Sequence, residues 1–361
     1  MPRRNYFFTL TLISICTLIV ACSPESPVEE AAELNMPETP AVVDADESAS
    51  EPEDSAPADA PAPPAQEGSG ATTGTKFGRP QDWTGGPTVG QLAMRIADVN
   101  GDGMGDFIAV DKDSTYALPS MGDRFGPPED WTRGPVVGEL FMYFADVTGD
   151  ARADYIAVDN ASTYVLPSNG AGFDPPQDWT GGPVLGELVM FFADVTGDGR
   201  ADFIAVDVAS TYVLPSTGTR FDSPQDWTKG PVKGELGMFF ADVTGDGLAD
   251  FIAVDNASTY VLPSTGTSFG PPQDWTGGPT FGELFMDFAD VTGDGIADFI
   301  AVDNASTYVL PSTGSRFGAP QDWTGGPTKG ELGMYFIDVT GDGLADFVAV
   351  DQATVYVLPA E

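Results

Sequence analysis

Six acidic segments contain the residues of this chain that are best suited to chemistry. Each segment reads Asp, any residue, Thr or Asn, Gly, Asp, Gly or Ala, two further residues and Asp, and successive segments begin 48 positions apart. Carboxylates at positions one, five and nine, a side-chain oxygen at position three and a backbone carbonyl at position seven can converge on one cation. The spacing therefore predicts a metal-binding loop in every segment.

The candidate metal ligands are the side chains at positions one, three, five and nine of loops 1 to 6. They are Asp98, Asn100, Asp102 and Asp106; Asp146, Thr148, Asp150 and Asp154; Asp194, Thr196, Asp198 and Asp202; Asp242, Thr244, Asp246 and Asp250; Asp290, Thr292, Asp294 and Asp298; and Asp338, Thr340, Asp342 and Asp346.

The oxygen donors favour Ca²⁺ as the bound ion. The chain has no His, which excludes the imidazole-bound sites of zinc, copper and iron. Six or seven flexible oxygen ligands suit Ca²⁺ better than Mg²⁺, so we expect up to six Ca²⁺ ions. The alternative is a set of acidic turns without an ion, in which eighteen clustered aspartates repel one another without compensation.

Loop 2 departs from the pattern at position six. Ala151 stands there, whereas the other five loops have Gly. A sharp turn at this position requires a backbone conformation that Gly adopts readily and Ala does not. We therefore expect backbone strain in loop 2 and the weakest ion affinity of the six.

Six tryptophans, each 48 positions after the last, are candidate ligand contacts. An exposed Trp beside a carboxylate suits stacking on a sugar ring or holding a cationic group. The favoured alternative is that each Trp fills the core between neighbouring repeats, since large aromatic side chains are mostly buried. These residues are Trp83, Trp131, Trp179, Trp227, Trp275 and Trp323.

An enzymatic function has little support in the residue types. The only cysteines are Cys16 and Cys22, and without His the usual pairs of nucleophile and base cannot be assembled. No repeat has a loop that differs chemically from its five counterparts. We therefore expect no enzyme, and a hydrolase or lyase is a remote alternative.

Short strands must position these loops. The second repeat has four strand-like pieces, at 139–146, 154–158, 163–166 and 173–179. The first piece alternates, with Leu140, Met142 and Phe144 on one face, and the second is a short apolar run typical of a buried strand. Four short strands in a repeat of this length match one blade of a β-propeller.

The ends of the repeat array indicate a closed ring. The array begins with the last piece of a unit, at 77–83, and ends with the third piece of another, at 355–359. In a ring, the N-terminal strand completes the blade that begins at Glu331 and removes the open edges. We therefore predict an all-β fold, a six-bladed propeller of four-stranded blades spanning residues 76–361.

The repeats resemble a known family. Phe317-Gly318-Ala319-Pro320 and the Asp-Val-Asn-Gly-Asp-Gly run of the first loop are similar to FG-GAP or VCBS-type repeats, which are related to the propeller of integrin α chains. The resemblance covers the whole predicted propeller. It implies loops that bind Ca²⁺ on one face and a role in adhesion or ligand binding. Five loops have Thr at position three, where the integrin loop has Asp.

The N-terminal part has the features of an exported lipoprotein. Residues 1–21 combine Arg3 and Arg4 with an apolar run, as in a signal peptide, and small residues before Cys22 resemble a lipobox. Cys22 is therefore the expected lipidation site. Residues 22–75 are rich in Pro, Ala and acids, which predicts a disordered linker. We expect a lipid-anchored location in the cell envelope, at the outer membrane or cell surface.

The formal charge of −40 argues against a nucleic-acid partner, because binding to phosphates depends on Lys and Arg. The expected partners are the membrane, through the lipid anchor, and a protein or glycan ligand. Two hypotheses follow: a calcium-dependent ligand-binding or adhesion module, and a multivalent lectin in which repeated weak sites act together.

Overall fold

The computed structural model of the protein describes residues 74–136, 138–232 and 234–361. The expected signal peptide, the lipidation site at Cys22 and nearly all of the expected linker lie outside the described residues. No helix in the part of the chain that the structure describes is long and apolar enough to cross a membrane.

The described residues form six four-stranded antiparallel sheets, each one blade. From the inner to the outer strand, blades 1 to 6 are β2 (Ala93–Ala97), β3 (Asp106–Val110), β4 (Thr115–Leu118) and β5 (Glu129–Asp130); β6 (Phe141–Ala145), β7 (Asp154–Val158), β8 (Thr163–Leu166) and β9 (Gln177–Asp178); β10 (Val189–Ala193), β11 (Asp202–Val206), β12 (Thr211–Leu214) and β13 (Gln225–Asp226); β14 (Gly237–Ala241), β15 (Asp250–Val254), β16 (Thr259–Leu262) and β17 (Gln273–Asp274); β18 (Phe285–Ala289), β19 (Asp298–Val302), β20 (Thr307–Leu310) and β21 (Gln321–Asp322); and β22 (Gly333–Ile337), β23 (Asp346–Val350), β24 (Val355–Leu358) and β1 (Gln81–Asp82).

The ring is closed by the N-terminal strand, as the offset repeats predict. Strand β1 pairs with β24 in antiparallel register, with Gln81 opposite Val357 and Asp82 opposite Tyr356. The innermost strands also contact one another in a closed cycle, because β2 lies against both β6 and β22. The predicted six-bladed β-propeller is therefore confirmed, and no sheet is left without its fourth strand.

The hydrophobic core lies between neighbouring blades. Every residue of β3 and of its equivalents in the other blades is buried, in agreement with the apolar runs of the sequence. One core cluster lies across the boundary between blades 6 and 1. In it, Trp83 packs with Phe107 and Leu118 of blade 1 and with Val348 and Val350 of blade 6. Burial of this apolar surface between blades is the main term that favours the closed ring.

A close approach within each blade requires Gly just before the inner strand. A Cβ on Gly186 would lie 2.2 Å from the carbonyl oxygen of Val189 and 2.9 Å from the backbone nitrogen of Val206. No side chain fits at these distances. The Gly of the repeated Gly-Glu-Leu sequence therefore allows the incoming chain to cross the edge of the blade.

Candidate functional site

The six acidic loops form a circle at one end of the propeller. In each case the backbone nitrogen at position eight donates to the carbonyl oxygen of position one in the preceding loop. Ala153 donates to Asp98 over 2.7 Å, and Gly105 donates to Asp338 over 2.7 Å, which joins loop 1 to loop 6. The loops are therefore linked to one another as well as to their own blades.

Within each loop the carboxylates accept hydrogen bonds from the backbone. In loop 3, Asp194 accepts from Gly197 through Oδ1 over 2.6 Å and from Gly199 through Oδ2 over 2.8 Å. Asp202 Oδ2 accepts from Thr196 over 3.1 Å, and its Oδ1 accepts from Ser216 over 2.8 Å. Asp at position one thus shapes the turn, and Asp at position nine fastens the loop to the neighbouring hairpin.

The aspartate at position nine is fully buried in all six loops. Desolvation raises the pKa of Asp106 to about 7 and that of its equivalents to about 6, and acidic neighbours raise it further while backbone hydrogen bonds lower it. A nearby cation would favour the ionised form of each carboxylate. The position-nine equivalents of Asp106 are Asp154, Asp202, Asp250, Asp298 and Asp346.

The donor chemistry of the loops suits a hard cation, but their side chains are not closed around a common centre. Among the residues that the structure describes, no group of three or more Asp, Glu, Cys or His side chains is arranged to hold a metal ion. Both oxygens of Asp194 face backbone N–H groups instead.

Two loops carry an internal ion pair that competes for a candidate ligand. Arg152 pairs with Asp150 in loop 2, and Arg200 pairs with Asp198 in loop 3. Both arginines stand at position seven, where the other four loops have Met, Leu or Ile. This role of the arginines was not predicted from the sequence, although their position two residues after an Asp was the available signal.

Loop 2 also shows the predicted backbone strain. Ala151 has a φ of 64°, in the left-handed region, while the Gly at the same position of loop 3, Gly199, has a φ of 81°. A left-handed conformation costs a residue with a Cβ about 1–2 kcal/mol. The ion affinity of this loop stays a prediction.

The six tryptophans lie in the core, which is the alternative that the sequence favoured. Each is only 2–3% exposed, so none presents a ring face to solvent. Trp179 packs edge-on against Phe221, with ring centroids 5.1 Å apart. These side chains therefore fill the space between blades and do not form a surface for stacking a sugar.

Grooves on the outer half of blades 5 and 6 were not predicted from the sequence. One groove of about 420 Å³ lies between the loop that joins blades 4 and 5 and the outer strands of blade 5. Phe281, Asp303 and Tyr308 line it. Phe281 is 42% exposed, and Tyr308 and Asp303 are half-buried. The groove thus combines aromatic surface with a carboxylate.

A neighbouring groove lies one blade further on, but Asp351 and Tyr356, the equivalents of Asp303 and Tyr308, do not line it. A second groove, of about 450 Å³, lies at the equivalent place on blade 6. The two grooves share three equivalent positions, which are Thr280, Leu310 and Pro320 in blade 5 and Thr328, Leu358 and Pro80 in blade 6. Pro80 comes from the N-terminal segment that completes the ring.

The tyrosine and the carboxylate recur in all six blades and are half-buried in each. Their spacing in the sequence was the signal that could have identified them. The tyrosines are Tyr116, Tyr164, Tyr212, Tyr260, Tyr308 and Tyr356, and the aspartates are Asp111, Asp159, Asp207, Asp255, Asp303 and Asp351.

The carboxylate of the groove has an oxygen available to a ligand. Asp303 Oδ1 accepts a 2.7 Å hydrogen bond from the backbone nitrogen of Glu283. This bond orients the carboxylate and leaves Oδ2 to accept from a bound hydroxyl or amide group. An aromatic surface beside an oriented carboxylate is the combination that suits binding of a sugar.

The repeats match the family of FG-GAP-like repeats at residues 242–301 and 290–349. Together with the six-bladed ring, this match supports an FG-GAP repeat propeller. No curated protein sequence matches the chain.

Two solved structures are similar to the propeller. A lectin from Agrocybe aegerita, described as recognising non-reducing terminal N-acetylglucosamine, is 25% identical with a TM-score of 0.52, over 71% of this chain and 73% of the lectin. The Tc holotoxin pore of Photorhabdus luminescens is 16% identical with a TM-score of 0.60, over 79% of this chain and only 15% of the toxin chain. The toxin shares the fold alone.

Proposed function

We propose that this protein is a multivalent carbohydrate-binding module that uses the groove on blade 5 and the equivalent surfaces of the other blades. The observation that carries the proposal is the groove on blade 5, in which a half-buried tyrosine and an oriented carboxylate lie beside the connecting loop, together with the recurrence of that tyrosine and carboxylate in all six blades. The likeness to a lectin that recognises N-acetylglucosamine supports a glycan ligand. This favours the lectin hypothesis over a protein-binding adhesion module.

Repetition compensates for the shallow form of each groove. An open groove of this size covers only part of a sugar, so we expect weak binding at one site. Six sites on one rigid ring can engage several chain ends of the same glycan surface, and the second contact is then intramolecular. Strong binding to dense glycans and weak binding to free sugars is the expected behaviour.

The connecting loop carries a different side chain beside the groove in different blades. At the position of Phe281 the chain also has Val89, Leu185 and Lys329. Val89 and Leu185 are 43% and 41% exposed. Because this side chain borders the groove, we expect the six sites to differ in affinity while sharing one ligand class.

Ca²⁺ in the acidic loops is a second part of the proposal. Support comes from the repeated oxygen donors and from the position-nine carboxylates, whose burial and acidic neighbours disfavour the charged form. An ion would neutralise these groups and stiffen the circle of loops. Its role would be structural, and the sugar sites lie on the outer strands.

The proposed location is the cell envelope, with the propeller held away from the membrane by the linker and the lipid on Cys22. The support is the sequence pattern of residues 1–75 alone. We propose no catalytic role, because the tyrosine and the aspartate of the groove recur in all six blades and the chain has no His.

The test is a glycan array with the full chain, followed by a variant in which the six groove aspartates are changed to Asn. Asn keeps the oxygen that accepts from the backbone and removes the charge. Binding to glycans that end in N-acetylglucosamine should fall while the melting temperature stays unchanged. Unchanged array binding by the folded variant would contradict the proposed grooves.

A further inference from the structure

The groove on blade 6 differs from the groove on blade 5 in the charge of its lining. Lys76 and Arg79 line the groove on blade 6, whereas Asp303 is the one charged residue that lines the groove on blade 5. The chain has 15 Lys and Arg against 55 Asp and Glu, so two cationic side chains in one small groove are an exception on this protein. The two neighbouring grooves therefore suit ligands of different charge.

Lys76 is paired with a carboxylate of the same groove. Its Nζ lies 2.9 Å from Oε2 of Glu361, which also lines the groove. The Glu361 side chain lies close against the backbone at Gly78, where a Cβ would be 2.7 Å from Oε1. Because the two charges are opposite, this pair adds no net charge to the groove.

Arg79 carries the charge that remains. Its side chain is exposed, and it forms no ion pair with a carboxylate in the part of the chain that the structure describes. The guanidinium group is planar and has five N–H donors, which match two oxygens of a carboxylate or a sulfate at once. Arg79 is therefore a candidate contact for an anionic group in the groove.

The fold does not require an arginine at this position. In the other five repeats the equivalent residue is uncharged, and all five blades have the same four strands. A positive charge here is therefore a property of blade 6 alone. The equivalent residues are Pro127, Pro175, Ser223, Pro271 and Ala319.

The backbone that carries Arg79 is held on both sides. The nitrogen of Gly78 donates a 2.6 Å hydrogen bond to the carbonyl oxygen of Pro359, and Gln81 pairs with Val357 in the outer strand of the blade. Because the backbone is already fixed, binding of a ligand has to order only the arginine side chain. This lowers the entropic cost of using Arg79 as a contact.

Uncharged polar side chains line the same groove. Thr328 and Gln81 are among its lining residues, and their hydroxyl and amide groups can exchange hydrogen bonds with the hydroxyls of a sugar. Lys329 follows Thr328 and is exposed. It stands at the position of Phe281, which lines the groove on blade 5. The connecting loop of blade 6 thus has a cation where that of blade 5 has an aromatic ring.

We propose that the groove on blade 6 binds an acidic sugar, with the carboxylate or sulfate of the sugar held by Arg79 and its hydroxyls held by Thr328 and Gln81. The inference rests on the proposed carbohydrate-binding function, since it assigns one class of sugar to one blade. The contact is exposed to solvent, so added salt should weaken it. The high negative charge of the rest of the chain keeps this groove as the place where an anionic sugar is attracted.

The experiment titrates the full chain with glucuronate, glucose 6-sulfate, glucose and inorganic sulfate, and follows the Nε–H signal of Arg79 by NMR. The signal is identified by its absence from Arg79→Gln. At least one of the two acidic sugars should shift this signal and bind about fivefold or more tightly than glucose and inorganic sulfate. The two acidic sugars show whether the groove prefers a carboxylate or a sulfate. Equal binding of inorganic sulfate would contradict a sugar site.

Arg79→Gln should lower the affinity for the acidic sugar to that for glucose and leave the melting temperature unchanged. Arg316→Gln is the matched control, because Arg316 is exposed, is equivalent to Lys76 and does not line the groove on blade 5. The inference is overturned if neither acidic sugar binds more tightly than glucose, or if Arg79→Gln binds the acidic sugar as tightly as the unaltered chain. Binding of chitobiose without a preference for acidic sugars would leave the proposed function standing and remove this inference alone.

Discussion

Ser120 of blade 1 and Val339 of blade 6 are joined by a 2.6 Å hydrogen bond from the Ser120 hydroxyl to the Val339 carbonyl oxygen. The same bond links consecutive blades within the array, for example Ser216 to Val147 over 2.6 Å. The contact that closes the ring is thus made by the same kind of residue as the contacts inside it, and the first and last blades are as firmly linked as any other pair.

Ser120→Ala tests whether the ring is closed in solution. The serine is buried, and its loss leaves the Val339 carbonyl without this donor, at a cost of about 1–2 kcal/mol in the free energy of unfolding. Ser216→Ala, inside the array, is the matched control and should cost the same. Urea denaturation measures both. If Ser120→Ala leaves the free energy of unfolding unchanged while Ser216→Ala lowers it, the ring is open.

Ala151→Gly should stabilise the protein. Removing the Cβ relieves the left-handed φ of 64° at this residue, which we expect to raise the free energy of unfolding by about 1 kcal/mol. Gly199→Ala is the matched reverse change, since Gly199 has a φ of 81° and open space where a Cβ would stand. It should destabilise by a similar amount in the same denaturation assay. Equal stabilities for all three proteins would contradict the strain.

Calcium should bind most readily to the loops that lack an arginine at position seven. Calorimetric titration of chelator-treated protein is expected to saturate near four Ca²⁺ ions per chain, one for each loop with Met, Leu or Ile at position seven. EDTA should lower the melting temperature. Arg200→Leu, which introduces the residue of loop 4 and frees Asp198, should add binding in loop 3. An unchanged melting curve after chelation would contradict structural calcium.

Asp287 should make stability depend on pH near neutrality. Because its pKa is raised to about 7 in the folded state, above the ordinary 3.8, the native state holds this proton more tightly than the unfolded chain does. The resulting stabilisation is full below pH 4 and is lost as the pH rises through 7. The stability of the Asp287→Asn variant relative to the unaltered protein should therefore increase as the pH rises from 5.5 to 8.5.

Thermal denaturation of both proteins across this range measures the effect. The titratable groups on the strands packed against Asp287 are Asp298 on β19, which both proteins share, and Tyr335 on β22, whose pKa burial raises. Tyr335→Phe is the control and should show no such change with pH. A constant difference between Asp287→Asn and the unaltered protein would contradict the raised pKa.

The fold followed from the sequence because the repeat length, the turn residues and the offset ends each constrain it. The pairing of β1 with β24 was foreseen since 77–83 has no other partner in its own repeat. The groove on blade 5 was not foreseen, because Phe281 lies beside Tyr308 and Asp303 only after the connecting loop folds over the outer strands.

The most direct measurement is a titration of the full chain with the N-acetylglucosamine disaccharide, chitobiose, followed by the tyrosine signals in an NMR spectrum. The account predicts that several of the six groove tyrosines shift together at millimolar ligand, and that the aspartate variant of the grooves loses these shifts. Tyrosine signals that do not respond, in a protein that remains folded, would contradict carbohydrate binding by the blades.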